Sequence, residues 1–166
     1  DDLIRWEHLG DVFPTIPSWI QAKIDGVDNL WAPDITRHNG KYYLCYSAST
    51  FGSPTSLIAL ASNTTLDPDD TDYQWIDEGE IIDSPPTAGA LDYNAIDGTF
   101  VTDHNGDMWL VFGSYWDGIM LTPLDNTTLK PTTSPPTIHH IARRLSSSAM
   151  EAAYITWRNG YYYLFV

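Results

Sequence analysis

The stretch VTDHNGDMWLVFGS, residues 101–114, decides the fold class, because it carries an Asn-Gly pair between β-branched and aromatic residues. Asn-Gly favours the type I′ turn that joins two antiparallel strands, so this stretch predicts a β-hairpin. Two further stretches share the pattern, ITRHNGKYYLCYS at 35–47 and ITWRNGYYYLFV at 155–166. In each copy an Ile or Val stands four residues before the Asn, and a Leu stands five residues after it. The chain therefore contains three related predicted hairpins.

The spacing of the hairpins indicates a repeated unit larger than one hairpin. Successive Asn-Gly pairs lie 66 and 54 residues apart, and the similar segments SNTTLDP (62–68) and DNTTLKP (125–131) follow the first two. Strand-rich units of this length are typical of four-stranded propeller blades. The Pro-, Ser- and Thr-rich stretches 84–87 and 131–137 are predicted loops, and no sustained 3.6-residue period is present. We therefore predict an all-β fold, with a two-sheet β-sandwich as the alternative to a propeller.

The length of the chain predicts only part of a propeller. Propellers close with typically 4–8 blades, whereas residues 1–166 hold about two and a half to three units of the observed spacing. The opening stretch DDLIRWEHLGDVF (1–13) predicts the outer half of a blade, and YYYLFV (161–166) predicts a strand cut midway. We expect residues 1–166 to be a fragment of a single propeller domain.

Composition narrows the class of partner. The chain has 8 Lys and Arg against 22 Asp and Glu, a formal net charge of −14. This balance repels phosphate groups, so we expect neither nucleic acid nor an anionic membrane surface as a partner. No apolar stretch approaches the ~20 residues of a bilayer span. Cys45 is alone in the chain, which excludes an internal disulfide and a multi-cysteine zinc site.

Aligning the hairpins on Asn-Gly places two acids at equivalent positions. Asp97 stands eight residues before Asn105, and Glu151 stands eight residues before Asn159, while Trp31 holds this position in the first copy. The innermost strands of propeller blades line the central channel, so we expect equivalent positions to meet at one end of it. Paired carboxylates in one site suit acid–base chemistry, and glycoside hydrolysis is the main reaction built this way.

Four motifs occur in a fixed order: LWAPDI (30–35), NAIDGTF (94–100), GSYWDGI (113–119) and EAAYI (151–155). Together they resemble glycoside hydrolase family 43, and within it the endo-acting α-1,5-L-arabinanases, over essentially the whole chain. The resemblance implies part of a five-bladed β-propeller that hydrolyses α-1,5-L-arabinofuranosidic bonds in arabinan with inversion.

The resemblance also implies roles for the two acids. Glu151 would be the general acid, and Asp97 would orient that acid and modulate its pKa. The general base of the family is an Asp near the start of the first blade, which we expect to precede residue 1, so we expect the 166 residues alone to be inactive. Ala153 departs from the family, which usually has proline there. The resemblance implies no cofactor for the chemistry, and a calcium or sodium ion in the channel held largely by later blades.

Each acid has a structural alternative. Ser148 and Glu151 match a helix capping box, in which the glutamate would bond only to the cap amide. The β-branched and aromatic residues that follow, AAYITW at 152–157, favour a strand instead. Asp97 precedes Gly98, so an Asx-turn is its alternative.

Six further side chains are candidates for substrate binding: Trp31, Asp34, Asn94, Ser114, Tyr115 and Trp116. The aromatic rings suit stacking on the C–H faces of sugars, and burial in the core is the alternative for each. Ser114 and Asn94 are candidates for hydrogen bonds to sugar hydroxyls. Asp34 follows Pro33 in a predicted turn, so a structural role is the alternative to substrate contact.

The histidines predict no metal site. His139 and His140 are adjacent, and neighbours on a strand point to opposite faces. The sequons at Asn63 and Asn126 favour secretion. We expect a secreted monomeric hydrolase acting on arabinan or a related plant cell-wall polysaccharide. An exo-acting arabinofuranosidase, a β-xylosidase and a non-catalytic carbohydrate-binding propeller are the alternatives.

Overall fold

The computed structural model describes residues 4–85, 93–145 and 150–166. Within these ranges the strands form three antiparallel sheets in chain order. Blade 1 consists of β1 (Trp31–His38), β2 (Lys41–Ser49), β3 (Ser56–Asn63) and β4 (Ile76–Asp83). Blade 2 consists of β5 (Thr99–Thr102), β6 (Met108–Phe112), β7 (Ile119–Pro123) and β8 (His139–Ala142). The third hairpin consists of β9 (Tyr154–Arg158) and β10 (Tyr161–Phe165). The predicted all-β fold, with two blades and a half, is confirmed.

The first and third Asn-Gly pairs form the predicted type I′ turns. Asn39 and Gly40 have φ of 48° and 83°, and Asn159 and Gly160 have φ of 53° and 85°. Two successive positive φ values define this turn type, whose twist matches that of the flanking strands.

The second Asn-Gly pair departs from the prediction. It lies in a longer connection between β5 and β6, in which the carboxylate of Asp103 accepts hydrogen bonds from the backbone amides of Asn105 (2.8 Å) and Asp107 (3.0 Å). The amide of Gly106 also donates to the carbonyl of Asp103, at 3.0 Å. The predicted type I′ turn is wrong here, because an acid that can capture amides stands where the other copies have Arg37 and Trp157.

The opening segment also departs from the prediction. Among residues 4–30 the structure shows no strand, and its regular element is a short helix, α1 (Ser18–Lys23). Ile20 in α1 and Ile24 directly after it are buried against side chains of β2 and β3. These side chains lie on the face of blade 1 that points away from blade 2. The prediction that 1–13 forms the outer half of a blade is therefore wrong for 4–13, and residues 1–3 lie outside the described part. Blade 1 already has four strands, and this segment covers the sheet instead of extending it.

Salt bridges attach α1 to the outermost strand of blade 1. Lys23 Nζ lies 2.5 Å from Glu80 Oε2 and 2.7 Å from Asp83 Oδ2. The indole N–H of Trp19 donates to Asp77 Oδ2 at 2.7 Å. Within the described ranges no helix is both long and apolar enough to span a lipid bilayer.

The main core lies between the two blades. Side chains of β2, β3 and β4 meet those of β5, β6 and β7 in one apolar cluster, which includes Cys45, Ile58, Leu110 and Phe112. At its rim Lys130 Nζ donates to the backbone carbonyls of β4 residues 79 (2.8 Å) and 80 (2.6 Å). Burial lowers the pKa of Lys130 to about 8 despite the acids around it. The blades are thus joined by apolar packing and by this partly buried ammonium.

The two sequons differ in accessibility. Asn63 is 2% exposed, and its Oδ1 accepts from the amides of Thr65 (3.3 Å) and Gln74 (3.2 Å). Asn126 is half-buried, and its Nδ2 donates to Asp107 Oδ1 at 3.1 Å. The Nδ2 of Asn63 is buried, so the folded chain does not offer this nitrogen for glycosylation, and the sequon there no longer supports secretion.

Candidate active site

An open cavity of about 630 Å³ lies at the end of the blades where the innermost strands β1, β5 and β9 begin. Its wall combines carboxylates, hydroxyls and aromatic rings: Trp31, Thr50, Phe51, Gly52, Ser53, Asn94, Ile96, Asp97, Ser114, Tyr115, Trp116 and Glu151. Seven of the eight candidates from the sequence line it, and Asp34 does not. The three positions aligned on Asn-Gly, residues 31, 97 and 151, all face this cavity.

Asp97 is fixed by both neighbouring blades. Its backbone amide donates to Ser47 Oγ of β2 at 3.1 Å, and its Oδ2 accepts from the amide of Ala152 at 3.2 Å. Its carboxylate therefore binds the backbone directly after Glu151, which ties the two acids together. This contact also differs from the Asx-turn considered for Asp97, in which the carboxylate would bond within its own loop.

The environment of Asp97 raises its pKa. Burial is the main cause, the amide of Ala152 opposes it, and the charge of Glu151 adds to it. Taking a carboxylate out of water disfavours its charged form, and a second acid nearby acts in the same direction.

This raised pKa gives a prediction for pH-dependent stability. Asp97→Asn is expected to raise the free energy of unfolding at pH 7, and the gain should shrink as the pH falls towards 3.8, the ordinary Asp value. A raised folded-state pKa means that stability is present below the unfolded-state value and is lost as pH rises through the folded-state value. An amide cannot ionise, yet its oxygen still accepts from Ala152. Urea unfolding of both proteins from pH 4 to 7 measures this, and a difference independent of pH would contradict it.

Glu151 is exposed at the mouth of the cavity and is held by blade 2. Its Oε2 accepts from Ser114 Oγ at 2.9 Å, and the amide of Tyr115 donates to the carbonyl of Met150 at 3.1 Å. Residues 150–153 are not helical and lead into β9, so the strand expected after Glu151 is present. Ser148, the other half of the capping box considered above, lies outside the described residues.

Strained backbone concentrates at this cavity. Eight non-glycine residues of the described ranges have positive φ, and five of them line the cavity or adjoin its wall: Ala32 (44°), Asp97 (56°), Tyr115 (54°), Trp116 (37°) and Ala152 (55°). Such conformations are uncommon for non-glycine residues and cost free energy, so they persist where the surroundings impose them, often at functional sites. The backbone conformation thus marks the same place as the two carboxylates.

Ser114 and Asn94 line the cavity, and each side chain makes one hydrogen bond within the protein. The Ser114 hydroxyl donates to Glu151, and Asn94 Oδ1 accepts from Ser56 Oγ at 2.5 Å. Both side chains thus help to position the wall, and the predicted bonds from Ser114 and Asn94 to sugar hydroxyls stay a prediction.

Asp34 lies within β1, so the predicted turn at this residue is wrong, and it does not line the cavity. Its half-buried carboxylate accepts from the amide of Phe100 at 3.1 Å, which joins β1 to β5. Burial raises the pKa of Asp34, and the amides of Phe100 and Ile35 oppose the rise. These contacts favour the structural alternative for Asp34 over substrate contact.

Asp34→Ala is accordingly expected to lower the free energy of unfolding by about 1–3 kcal/mol, because it leaves the amide of Phe100 unpaired at a blade junction. Asp34→Asn keeps an acceptor oxygen and is the matched control, with a smaller expected loss. Denaturant unfolding of both variants measures the effect, and equal losses in the two would contradict it.

Sequence reasoning missed the loop between β2 and β3. Residues 50–53 line one side of the cavity, and Phe51 is 101% exposed at its tip. Ser49 Oγ donates to the carbonyl of Thr55 at 2.9 Å and closes the base of the loop. The sequence feature that indicates this loop is Phe51 followed by Gly-Ser-Pro (52–54), a turn-forming stretch that exposes a large apolar ring.

His139 and His140 point to different partners. His139 lies beside Trp109, with ring centroids 6.1 Å apart, and His140 Nδ1 lies 3.5 Å from Asp117 Oδ2. Among the described residues, no group of three or more His, Cys, Asp or Glu side chains is suited to hold a metal ion.

The family model that matches the chain defines its class. Residues 1–166 match glycosyl hydrolases family 43, and the chain belongs to that family. It is 45% identical over 166 residues to extracellular endo-α-(1→5)-L-arabinanase 1 of Bacillus subtilis, covering 99% of this chain and 49% of that protein. It is 37% identical over 177 residues to the extracellular exo-α-(1→5)-L-arabinofuranosidase ArbA of Cellvibrio japonicus, covering 99% and 50%.

A solved structure supports the same assignment. The α-L-arabinanase of Cellvibrio cellulosa complexed with arabinohexaose superposes with a TM-score of 0.87 at 37% identity, covering 98% of this chain and 54% of that one. Such arabinanases are five-bladed β-propellers, so the predicted architecture is confirmed. The chain spans about half the length of the relatives it matches.

Proposed function

We propose that the protein carrying this chain hydrolyses α-1,5-L-arabinofuranosidic bonds in arabinan with inversion of configuration. One observation carries the proposal: Asp97 and Glu151, which stand at equivalent positions of successive repeats, line one open cavity and are joined through the amide of Ala152. The relatives named for action on α-1,5-linked arabinan supply the substrate class.

In this proposal Glu151 donates a proton to the glycosidic oxygen as the bond to the leaving sugar breaks. The hydrogen bond from Ser114 fixes the direction of its carboxyl group. Asp97 orients the backbone that carries Glu151 through Ala152 and contributes negative charge beside it. General acid catalysis of this kind contributes typically ~10²–10⁴-fold.

Water attacks the sugar from the opposite face and needs a base. In inverting hydrolases the acid and the base stand roughly 6.5–9.5 Å apart with a water between them. Asp97 and Glu151 are the two carboxylates that line the cavity among the described residues. We propose that the base is a third carboxylate, distinct from Asp97 and Glu151. Two carboxyl groups and water supply the chemistry, so the proposal needs no cofactor, and the calcium or sodium ion in the channel stays a prediction.

The aromatic wall suits a furanose polymer. Trp31, Tyr115 and Trp116 line the cavity, and Phe51 stands exposed at its edge. Aromatic faces pack against the apolar C–H faces of sugars, while few charged groups are needed for a neutral substrate. We also propose that the protein is secreted, since two of its relatives are named extracellular.

The direct test is hydrolysis of linear arabinan by the intact protein, with xylan as the control. We expect reducing sugar from arabinan, early arabino-oligosaccharides of mixed length, and proton NMR signals of the inverted anomer. Arabinose released alone from chain ends would favour the exo-acting alternative, which the similarity to the Cellvibrio japonicus enzyme supports. Binding to arabinan without any release of sugar would overturn the proposal in favour of a non-catalytic propeller.

A further inference from the structure

The loop between β6 and β7, residues 113–118, carries two aromatic side chains of the cavity and is folded unusually tightly. Tyr115 and Trp116 have φ of 54° and 37°, and the amide of Gly118 donates to the carbonyl of Tyr115 at 2.7 Å. A Cβ at Gly113 would overlap the carbonyl oxygen of Gly118, so the two ends of the loop touch. Left-handed conformations at two bulky residues need an external restraint to persist.

Asp117 supplies such a restraint. Its Oδ1 accepts from a guanidinium N–H of Arg143 at 2.8 Å, and its Oδ2 lies 3.5 Å from His140 Nδ1. Both partners belong to β8 or adjoin it. The Asp117 side chain is only 21% exposed, so the loop is attached to the neighbouring strand by a largely covered carboxylate.

The same loop contacts the candidate acid. Ser114 Oγ donates to Glu151 Oε2, and the amide of Tyr115 donates to the carbonyl of Met150. A shift of the loop would therefore change both the direction of the Glu151 carboxyl and the wall beside it. Misplacing a reacting group by about 1 Å can cost up to about 100-fold in rate.

We propose that Asp117 is a positioning residue, which holds the 113–118 loop to Arg143 and thereby orients Glu151 and the aromatic wall of the cavity. This inference rests on the proposed function, because it acts through the proposed general acid. Ion pairs with an exposed partner contribute little to stability, so its loss should appear in catalysis more than in the thermal midpoint.

The test is a double-mutant cycle in the intact protein with Asp117→Asn, Arg143→Gln and both together, assayed on linear arabinan. We expect each single change to lower kcat/KM about 10-fold, which corresponds to a loop shift smaller than the 1 Å case. The double variant should lose little more than Asp117→Asn alone, because the two substitutions remove the same interaction between Asp117 and Arg143. Arg144→Gln, a neighbouring exposed arginine, is the matched control and should stay within about 2-fold of the native value.

A second readout separates positioning from a general structural role. An aryl arabino-oligosaccharide with an acidic leaving group does not need the proton of Glu151. We therefore expect Asp117→Asn to lose less kcat on this substrate than on arabinan, and Asp117→Glu, which keeps the charge, to recover part of the loss. If Asp117→Asn does not fold, the loss of kcat on the two substrates is compared for Arg143→Gln instead.

Two outcomes would overturn the inference. The first is a native value of kcat/KM in folded Asp117→Asn. The second is an equal loss of kcat on arabinan and on the aryl substrate, together with additive effects of the Asp117 and Arg143 substitutions. An intact native protein that releases no sugar would instead overturn the proposed function and this inference with it, so the two failures are distinguishable.

Discussion

Glu151→Gln is expected to lower kcat on linear arabinan by about 10²–10⁴-fold, the range typical of a lost general acid. An amide of nearly the same shape can still accept from Ser114 but cannot give a proton to the leaving oxygen. The loss should be smallest on substrates whose leaving group needs no protonation. Initial rates on arabinan and on an aryl arabino-oligosaccharide measure both effects.

The matched control for this prediction is Glu7→Gln, which makes the same change at an exposed glutamate of the opening segment. It should leave both rates as they are. A Glu151→Gln variant that keeps kcat within about threefold of the native value, far below the expected loss, would show that Glu151 is not the acid.

Phe112→Ala is expected to lower the free energy of unfolding by about 3–5 kcal/mol, as is usual when a buried aromatic ring is truncated. Phe112 is fully buried between the blades and packs edge-on against Tyr93, with centroids 5.4 Å apart. Gly113 and Ser114 follow Phe112 directly in the chain. The void left by the ring would therefore adjoin the 113–118 loop, which contacts Glu151. Denaturant unfolding of the intact protein measures the loss.

Phe51→Ala is the matched control for Phe112→Ala, because it removes the same ring from a fully exposed position. Its free energy of unfolding should stay within about 0.5 kcal/mol of the native value, while KM for arabinan should rise. A loss below about 1 kcal/mol for Phe112→Ala, outside the usual range, would contradict the core described between the blades.

The sequence predicted those parts of the fold that depend on residues close together in the chain. Asn-Gly between β-branched and aromatic residues specifies a hairpin wherever it occurs, and counting back from Asn105 and Asn159 aligned Asp97 with Glu151. The exception at 105–106 also has a local cause, since Asp103 can be seen to compete for the amides of the turn. Helix α1 is six residues long, too short to show a helical period.

The parts that sequence reasoning missed depend on contacts between distant segments. The partner of Asp34 is the amide of Phe100, 66 residues away, and no pattern within the first hairpin indicates it. Phe51 lies in the loop between β2 and β3, which corresponds to the loop 113–118 between β6 and β7. Its exposure beside the cavity depends on how the blades are arranged, and aligning the repeats does not show that. The hydroxyl of Ser114 binds Glu151 across two blades, and only the fold brings those residues together.

A crystal structure of the intact Glu151→Gln protein with a linear arabino-oligosaccharide would test the central claim most directly. We expect the sugar chain to cross the cavity, with one glycosidic oxygen within ~3 Å of the side chain at position 151, a hydrogen-bond distance. Asp97 should lie on the same side of that bond, and furanose rings should lie against the aromatic wall. An oligosaccharide bound away from position 151, or Asp97 facing elsewhere in the complex, would contradict the account.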